Sequence, residues 1–471
     1  MKGFRKLKSS IAVLIVAAML VLAAPAALAA SASQIDEVRG LLEQYHLSKP
    51  DDAALADKEI EEMVESLEDP YTEYYDSNEW QAYNAELEQK FVGVGIVMRE
   101  DKTGIYVEDV LSGGPAEAAG VQPGDLLVSA DGTSFKGKTM EEVQETIRGE
   151  EGTIVSLRVS RDGKPLSFKI ARKSIQIPVV TTRMLENGIG YAALSSFTSA
   201  SGGEFKRELG KLEKNKLSAL IFDLRDNGGG YIDAAREVAE LFIEKGVLTH
   251  MRNRDGANEN IELNGASKPY PVYILVNGNS ASASELLSAA MRDYGVAELV
   301  GSKTYGKGVV QSLLPVTGGG MLKVTVQEYY TPAGKKVEKV GLTPNVAVNG
   351  AAQQFISAFR LAGGKSLSVE AAGGIVTVNG VRMAQPGAVR QEKGVWQVEM
   401  KLAAELVGAK LAFKAGEYSL ALGNTVRKIK TSDAQLTVKD GSSYVDVKWL
   451  NKQFAGFSYS ASAEALKLKV Q

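Results

Sequence analysis

"ILVNGNSASASELLSAAM" (Ile274–Met291) is the stretch whose reading decides the fold. An apolar run with the texture of a buried strand stops at Asn277-Gly278-Asn279, and a helical pattern follows the serines. Ser280, Ser282 and Ser284 alternate with alanines in the turn between. A serine at a strand-to-helix turn suggests a nucleophile. The plainer reading is helix capping, by Ser280 or Ser282, and Glu285 completes a capping box if Ser282 is the cap. On these residues alone capping is the stronger reading. A serine nucleophile also needs a base, and the chain has only two histidines, His46 and His250.

Outward from that turn, strands and helices alternate from Ile175 to Val348. "GIGYAALSSF", "GGEFKRELGKLEKN", "SALIFDLRD", "YIDAAREVAELFIEKG" and "PVYILVNG" follow one another. That order predicts an α/β domain on a largely buried sheet. "SALIFDL" and "VYILVNG" are almost wholly apolar, as strands covered on both faces should be.

Before this domain, a block from Phe91 to Arg172 has short β-branched runs between glycine turns, with "TMEEVQETIRG" as an amphipathic helix. Its Gly93–Gly95 loop in "FVGVGI" suits backbone capture of an anion such as a peptide carboxylate. With "GGPAEAAGVQPGDLLVSADG" (Gly113–Gly132) following, the block resembles a PDZ domain. The resemblance implies that an extended peptide C-terminus is bound, with Phe91, Ile96 and Val143 around its last side chain. Arg148 ends the helix, where dipole pairing is its simplest role.

Residues 33–90 read as a charged, helical N-terminal region, a small arm or dimerisation element in which His46 is an ordinary surface or interface residue. Residues 1–29 have the layout of a secretory signal peptide: a basic start, a short apolar run and an Ala-x-Ala site ending at Ala29. An uncleaved anchor is the alternative, and either places the remainder outside the cytoplasm. Residues 350–471 are rich in glycine and alanine. There "VEMKLAAELVGAKLAF" (Val398–Phe413) aligns on "VDVKWLNKQFAGFSYS" (Val445–Ser460), a repeated α+β unit.

At 471 residues several domains are expected, and 44% apolar residues suffice for their cores. The 54 basic and 57 acidic residues nearly cancel, which argues for no nucleic-acid partner. The absence of cysteine removes disulfides, thiol nucleophiles and thiolate zinc sites, and two histidines make a histidine metal site improbable. No metal and no cofactor is expected.

Two further stretches bear on Ser282. "DLRDNGGG" (Asp223–Gly230) offers exposed backbone N–H groups at the end of a buried strand, raw material for an oxyanion hole. "GSKTYGKGVVQ" (Gly301–Gln311) sets Lys307 between two glycines, so that its backbone can approach another segment closely. A lysine sequestered from water loses basicity toward neutrality and can accept a serine's proton.

Together with "LEDPYTEYY", "FVGVGIVM" and "EYYTPAGKKV", in this order, these stretches resemble the carboxyl-terminal processing proteases. Those are secreted Ser–Lys peptidases with an inserted PDZ domain. The resemblance implies Ser282 as nucleophile, Lys307 as general base and Gln311 as its helper. It assigns the oxyanion hole to the N–H groups of Gly228 and Ala283, and makes Arg148 a coupler of bound peptide to the active conformation. It implies a multidomain α+β chain with a crotonase-like α/β protease core over 175–348. Substrates would be proteins with free C-termini. A homodimer through the N-terminal helices is implied by the family alone. A contact of Gln311 with Lys307 requires a helical turn, because a strand would hold them about 13 Å apart. The tail departs from the family and resembles copper-amine-oxidase N-terminal-like stalk repeats, for spacing, envelope attachment or protein contact. Two other readings remain open, a catalytically silent PDZ scaffold and an acyl-CoA enzyme.

Overall fold

In the computed structural model, which describes residues 31–471, six strands form the central sheet. Their order is Val180–Met184, Ile189–Leu194, Ala219–Asp223, Val272–Val276, Ala297–Gly301 and Val346–Ala347. The first pair is antiparallel and the others are parallel. The signal-peptide expectation for residues 1–29 lies outside the described residues.

Alternation along each strand sends side chains to two different cores. Leu220, Phe222, Ile274 and Leu299 pack on helices Ser201–Lys214, Ile232–Ala239 and Ala283–Asp293. Tyr191, Ile221, Leu275 and Val300 point the other way and are covered by helix Ala351–Leu361. Phe355 and Phe359 of that helix continue into the core of the C-terminal region as one cluster. The two aligned C-terminal segments each form strand–helix–strand. Strand Val395–Glu399 pairs antiparallel with Ser442–Asp446, setting Val398 directly opposite Val445.

A second sheet carries the hairpin of strands Val309–Val316 and Gly320–Tyr330. The N-terminal region does not stand away from the body as an arm. Val38, Leu42, Leu55, Ile60 and Met63 are buried against Val316, Leu322 and Val324 of this hairpin. The region is also not all helix, since Glu73–Tyr75 adds a strand to the hairpin. His46, expected as an ordinary surface or interface residue, is 3% exposed and sits between Ser48 and Asp69. It follows the helix Ala32–Tyr45 where the chain turns beneath the hairpin, which withdraws it from water.

The β-rich block has a sheet of strands Ile96–Asp101, Gly104–Val110, Leu126–Ala130, Ile154–Arg161 and Lys164–Ala171, with its own core. The expected amphipathic helix runs from Met140 to Ile147, with Val143 and Ile147 inward and a Thr139 cap. The chain enters and leaves the block through two strands paired with each other, Lys90–Gly93 and Lys173–Gln176.

Candidate active site

The serine turn assembles at the carboxyl end of strand Val272–Val276. Ser280 and Ser284 are buried and occupied by structure. Ser280 Oγ donates to Leu224 O at 2.7 Å and accepts from Asn277 N–H, while Ser284 Oγ donates to Asn227 O at 2.9 Å. Ser282 differs. It is half-buried at the N-cap of helix Ala283–Asp293, with φ 55° and ψ −117°, a strained backbone for a residue with a Cβ. Its Oγ faces the Glu285 N–H in the reciprocal geometry of a capping box, but without a formed side-chain cap hydrogen bond, which leaves the hydroxyl available. Glu285 completes the capping box, accepting Ser282 N–H at 3.1 Å.

The glycine turn lies against that serine. A Cβ on Gly229 would come within 2.8 Å of Ser282 Cβ and 3.0 Å of Ala283 N, so only glycine fits there. The Gly229 N–H is taken by Asn227 Oδ1 at 2.9 Å. Asn227 is fully buried and joins three segments: its Nδ2 donates to Leu194 O, and its carbonyl accepts from Ala281 N–H and Ser284 Oγ. Ala283 is the first residue of its helix, where the backbone N–H has no intrahelical partner.

Lys307 approaches from the third side. Gly308 is forced by close packing, since a Cβ there would meet Glu338 N at 2.1 Å, and Gly306 lies against Val340 and Gly341. One carboxylate binds this loop to the serine turn. Glu285, fully buried, accepts from Ser282 N–H, Lys307 N–H (2.9 Å), Gly306 N–H (2.8 Å) and Thr304 Oγ1. Burial raises its carboxyl above the usual range, and these four donors offset only part of that. The Tyr329 hydroxyl adds a second tie, within reach of both Ser282 O and Lys307 O.

The Lys307 ammonium is brought from 10.5 down to about 8. Burial is the main cause and the Lys323 charge adds to it, against the opposing carboxylates of Asp69, Glu338 and Glu73. Among the described residues no hydrogen bond joins Lys307 Nζ to Ser282 Oγ. Nζ lies 4.8 Å from the centre of the Tyr71 ring. A 560 Å³ cavity lined by Asp69, Tyr71, Tyr305, Thr325 and Glu338 opens beside the lysine loop.

Gln311 is not brought to Lys307 by a hydrogen bond. Its amide donates to Thr325 Oγ1 at 3.2 Å, from an extended strand with a bulge between Val310 and Gln311. Pairing with Gly320–Tyr330 holds "GVV" extended, so the helical turn that contact needs does not form. His250 makes hydrogen bonds with Asn260 and Pro332 O, apart from the serine turn.

In the β-rich block the carbonyls of Val94 and Gly95 turn inward to Ala116 and Leu111 N–H groups, at 2.8 and 3.0 Å. Trans peptide geometry turns the next N–H groups the opposite way. The Phe91 ring lies over Gly93, and Ile96 is half-buried. Val143 is fully buried in the domain core, so a peptide side chain reaches it only if helix Met140–Ile147 shifts. Arg148 is exposed and pairs with Glu145 at 3.6 Å. Among the described residues no group of three metal-ligating side chains forms.

No spacing signal in the sequence marks Tyr71, Thr304 or Tyr329. Each reaches the site through pairing or packing between distant segments. Glu285 was visible only as a capping partner, and its ties to the lysine loop depend on the tertiary fold.

Comparison with known proteins adds to this geometry. Residues 188–348 match peptidase family S41, and residues 106–161 match the PDZ domain. A "Probable CtpA-like serine protease" of Staphylococcus aureus (strain N315) is 34% identical over 324 residues, covering 68% of this chain and 65% of the relative. Its counterpart in Staphylococcus haemolyticus (strain JCSC1435) is 35% identical over 320 residues, 67% of this chain and 64% of the relative. The chain thus spans slightly less than two thirds of these relatives. A solved photosystem II D1 C-terminal processing protease superposes with a TM-score of 0.45 at 24% identity, over 69% of this chain and 95% of that one.

Proposed function

Because residues 188–348 match peptidase family S41 and residues 106–161 match the PDZ domain, we propose that the chain is a serine endopeptidase of the carboxyl-terminal processing type. The observation that carries this is the Glu285 clamp. It ties the backbone of a strained, half-buried serine to that of a lysine whose basicity burial has lowered.

In this reading neutral Lys307 takes the Ser282 proton as Oγ attacks the scissile carbonyl. The N–H groups of Ala283 and Gly228 stabilise the oxyanion, the protonated lysine gives its proton to the leaving amine as the C–N bond breaks, and water then releases the acyl-enzyme. Gly228 fits better than Gly229, whose N–H is held by Asn227. Swinging Nζ from the Tyr71 ring toward Oγ would engage the dyad, and Gln311 would act only indirectly, through Thr325.

The PDZ block would receive the substrate's C-terminus on the Gly93–Gly95 loop. Arg148 would couple that binding to the active conformation, reaching inward from its exposed position. Export by residues 1–29, the crotonase-like description of the core and an envelope contact for residues 350–471 complete the proposal. A homodimer through residues 33–90 would have to use faces other than those buried on the hairpin.

The test is cleavage of unfolded β-casein by residues 30–471 beside Ser282→Ala and Lys307→Ala, with circular dichroism showing all three folded. Wild type is expected to cut and both variants to be silent. Cleavage by Lys307→Ala would remove lysine as the base, and silence of all three would favour the scaffold reading.

A further inference from the structure

The near-neutral charge of the whole chain conceals a division. Residues 31–349 carry 34 basic and 48 acidic residues, whereas residues 350–471 carry 16 basic and 9 acidic. The two parts thus have opposite net charge, about −14 and +7. Within the basic part, strands Lys410–Lys414, Glu417–Leu422 and Thr425–Lys430 form a separate three-stranded antiparallel sheet.

Its register sorts the side chains cleanly. Residues directly opposite one another share a face. Leu411, Leu420 and Arg427 lie in line on one face, which enters the C-terminal core through Leu420 and Ile429. The other face receives Lys410, Lys414, Lys428 and Lys430, all exposed, and one carboxylate, Glu417. Glu417 pairs with Lys428 at 2.8 Å. Among the described residues no ion pair engages Lys410, Lys414 or Lys430. Between the lysines lie Ala412, Ser419 and Ala421, which leave the surface low.

We propose that this lysine face is a docking surface for a linear phosphate polyanion outside the cytoplasm. It gives the envelope contact proposed for residues 350–471 a surface and a partner chemistry, and it does not depend on the peptidase reading. Lysines four apart on a strand stand about 13 Å apart, and those on the two outer strands about 10 Å. That grid suits successive charges of an extended polymer. The face has no arginine and no aromatic ring, so it lacks the means to read or stack nucleobases. Val426 is its sole exposed large apolar side chain, too little to enter a bilayer.

The experiment measures binding of residues 31–471 to long-chain inorganic polyphosphate over a range of salt concentrations. It includes Lys410→Gln/Lys414→Gln/Lys430→Gln and, as a control of equal charge change, Lys365→Gln/Lys393→Gln/Lys439→Gln. Wild type should bind at low salt. The face variant should bind about tenfold more weakly or worse, with a salt slope lower by about two, and the control should stay within about twofold. The substituted lysines are exposed, so equal melting temperatures and unchanged casein cleavage are expected throughout. The proposal is overturned if wild type does not bind, if the control loses as much as the face variant, or if phosphatidylglycerol–phosphatidylcholine vesicles bind more tightly than polyphosphate.

Discussion

Lys307 is where the chemistry and the stability of this chain oppose each other. Its ammonium is taken out of water without a hydrogen-bonded carboxylate, over the Tyr71 ring, and releases its proton near 8 instead of 10.5. Between those two values the unfolded chain binds a proton that the folded chain has released. Folding stability therefore rises with pH across that window, and below about 8 the site carries its full desolvation cost. Lys307→Met, which fills the same space without charge, should raise stability at pH 7 by about 1–3 kcal/mol and flatten this rise. Urea unfolding at pH 7 and at pH 10 measures both. A less stable variant at pH 7 would mean that the lysine is not sequestered as described.

At the scale of elements, the site joins the end of one buried strand, a glycine turn and a loop leading into a hairpin. Much of this was legible in the sequence. The almost wholly apolar runs "SALIFDL" and "VYILVNG" became central parallel strands, and the glycines around Lys307 proved to be places of close backbone approach. Periodicity also located the helix Met140–Ile147 and the strands around it. What failed was local reasoning about elements whose partners lie far away in sequence. The N-terminal helices looked free because their apolar faces match a hairpin more than 250 positions later. For Gln311 the route to Lys307 stayed open, since "GVV" is poor helix material, and the pairing that sets it beside Thr325 was not visible. The capping box expected of Ser282 and Glu285 is present, but its serine half is not a formed hydrogen bond, and the carboxylate also serves the lysine loop, which local pattern could not show.

At the scale of the molecule, the C-terminal region is less detachable than a stalk. Helix Ala351–Leu361 packs on one face of the central sheet and joins it to the C-terminal core, and Arg225 reaches from the glycine turn to Ala351 O at 2.6 Å. A chain ending at residue 349 would expose Tyr191, Ile221, Leu275 and Val300 together. It should be recovered as aggregate or as a species that binds hydrophobic dye, and a soluble, cooperatively melting product would contradict the shared core. A chain ending after Gly364 would keep that helix but expose Phe355 and Phe359 in turn. Whole-chain charge was a poor guide for the same reason of scale, because two opposite regions cancel in the sum.

The measurement that tests the central claim most directly is kcat/KM for a tail-bearing peptide as a function of pH, from 6 to 10. A neutral lysine base near 8 predicts a rise of about tenfold per pH unit below that value and a plateau above it, with no such activity in Lys307→Ala. A profile flat through pH 8, or a rise that persists without Lys307, would contradict the assignment.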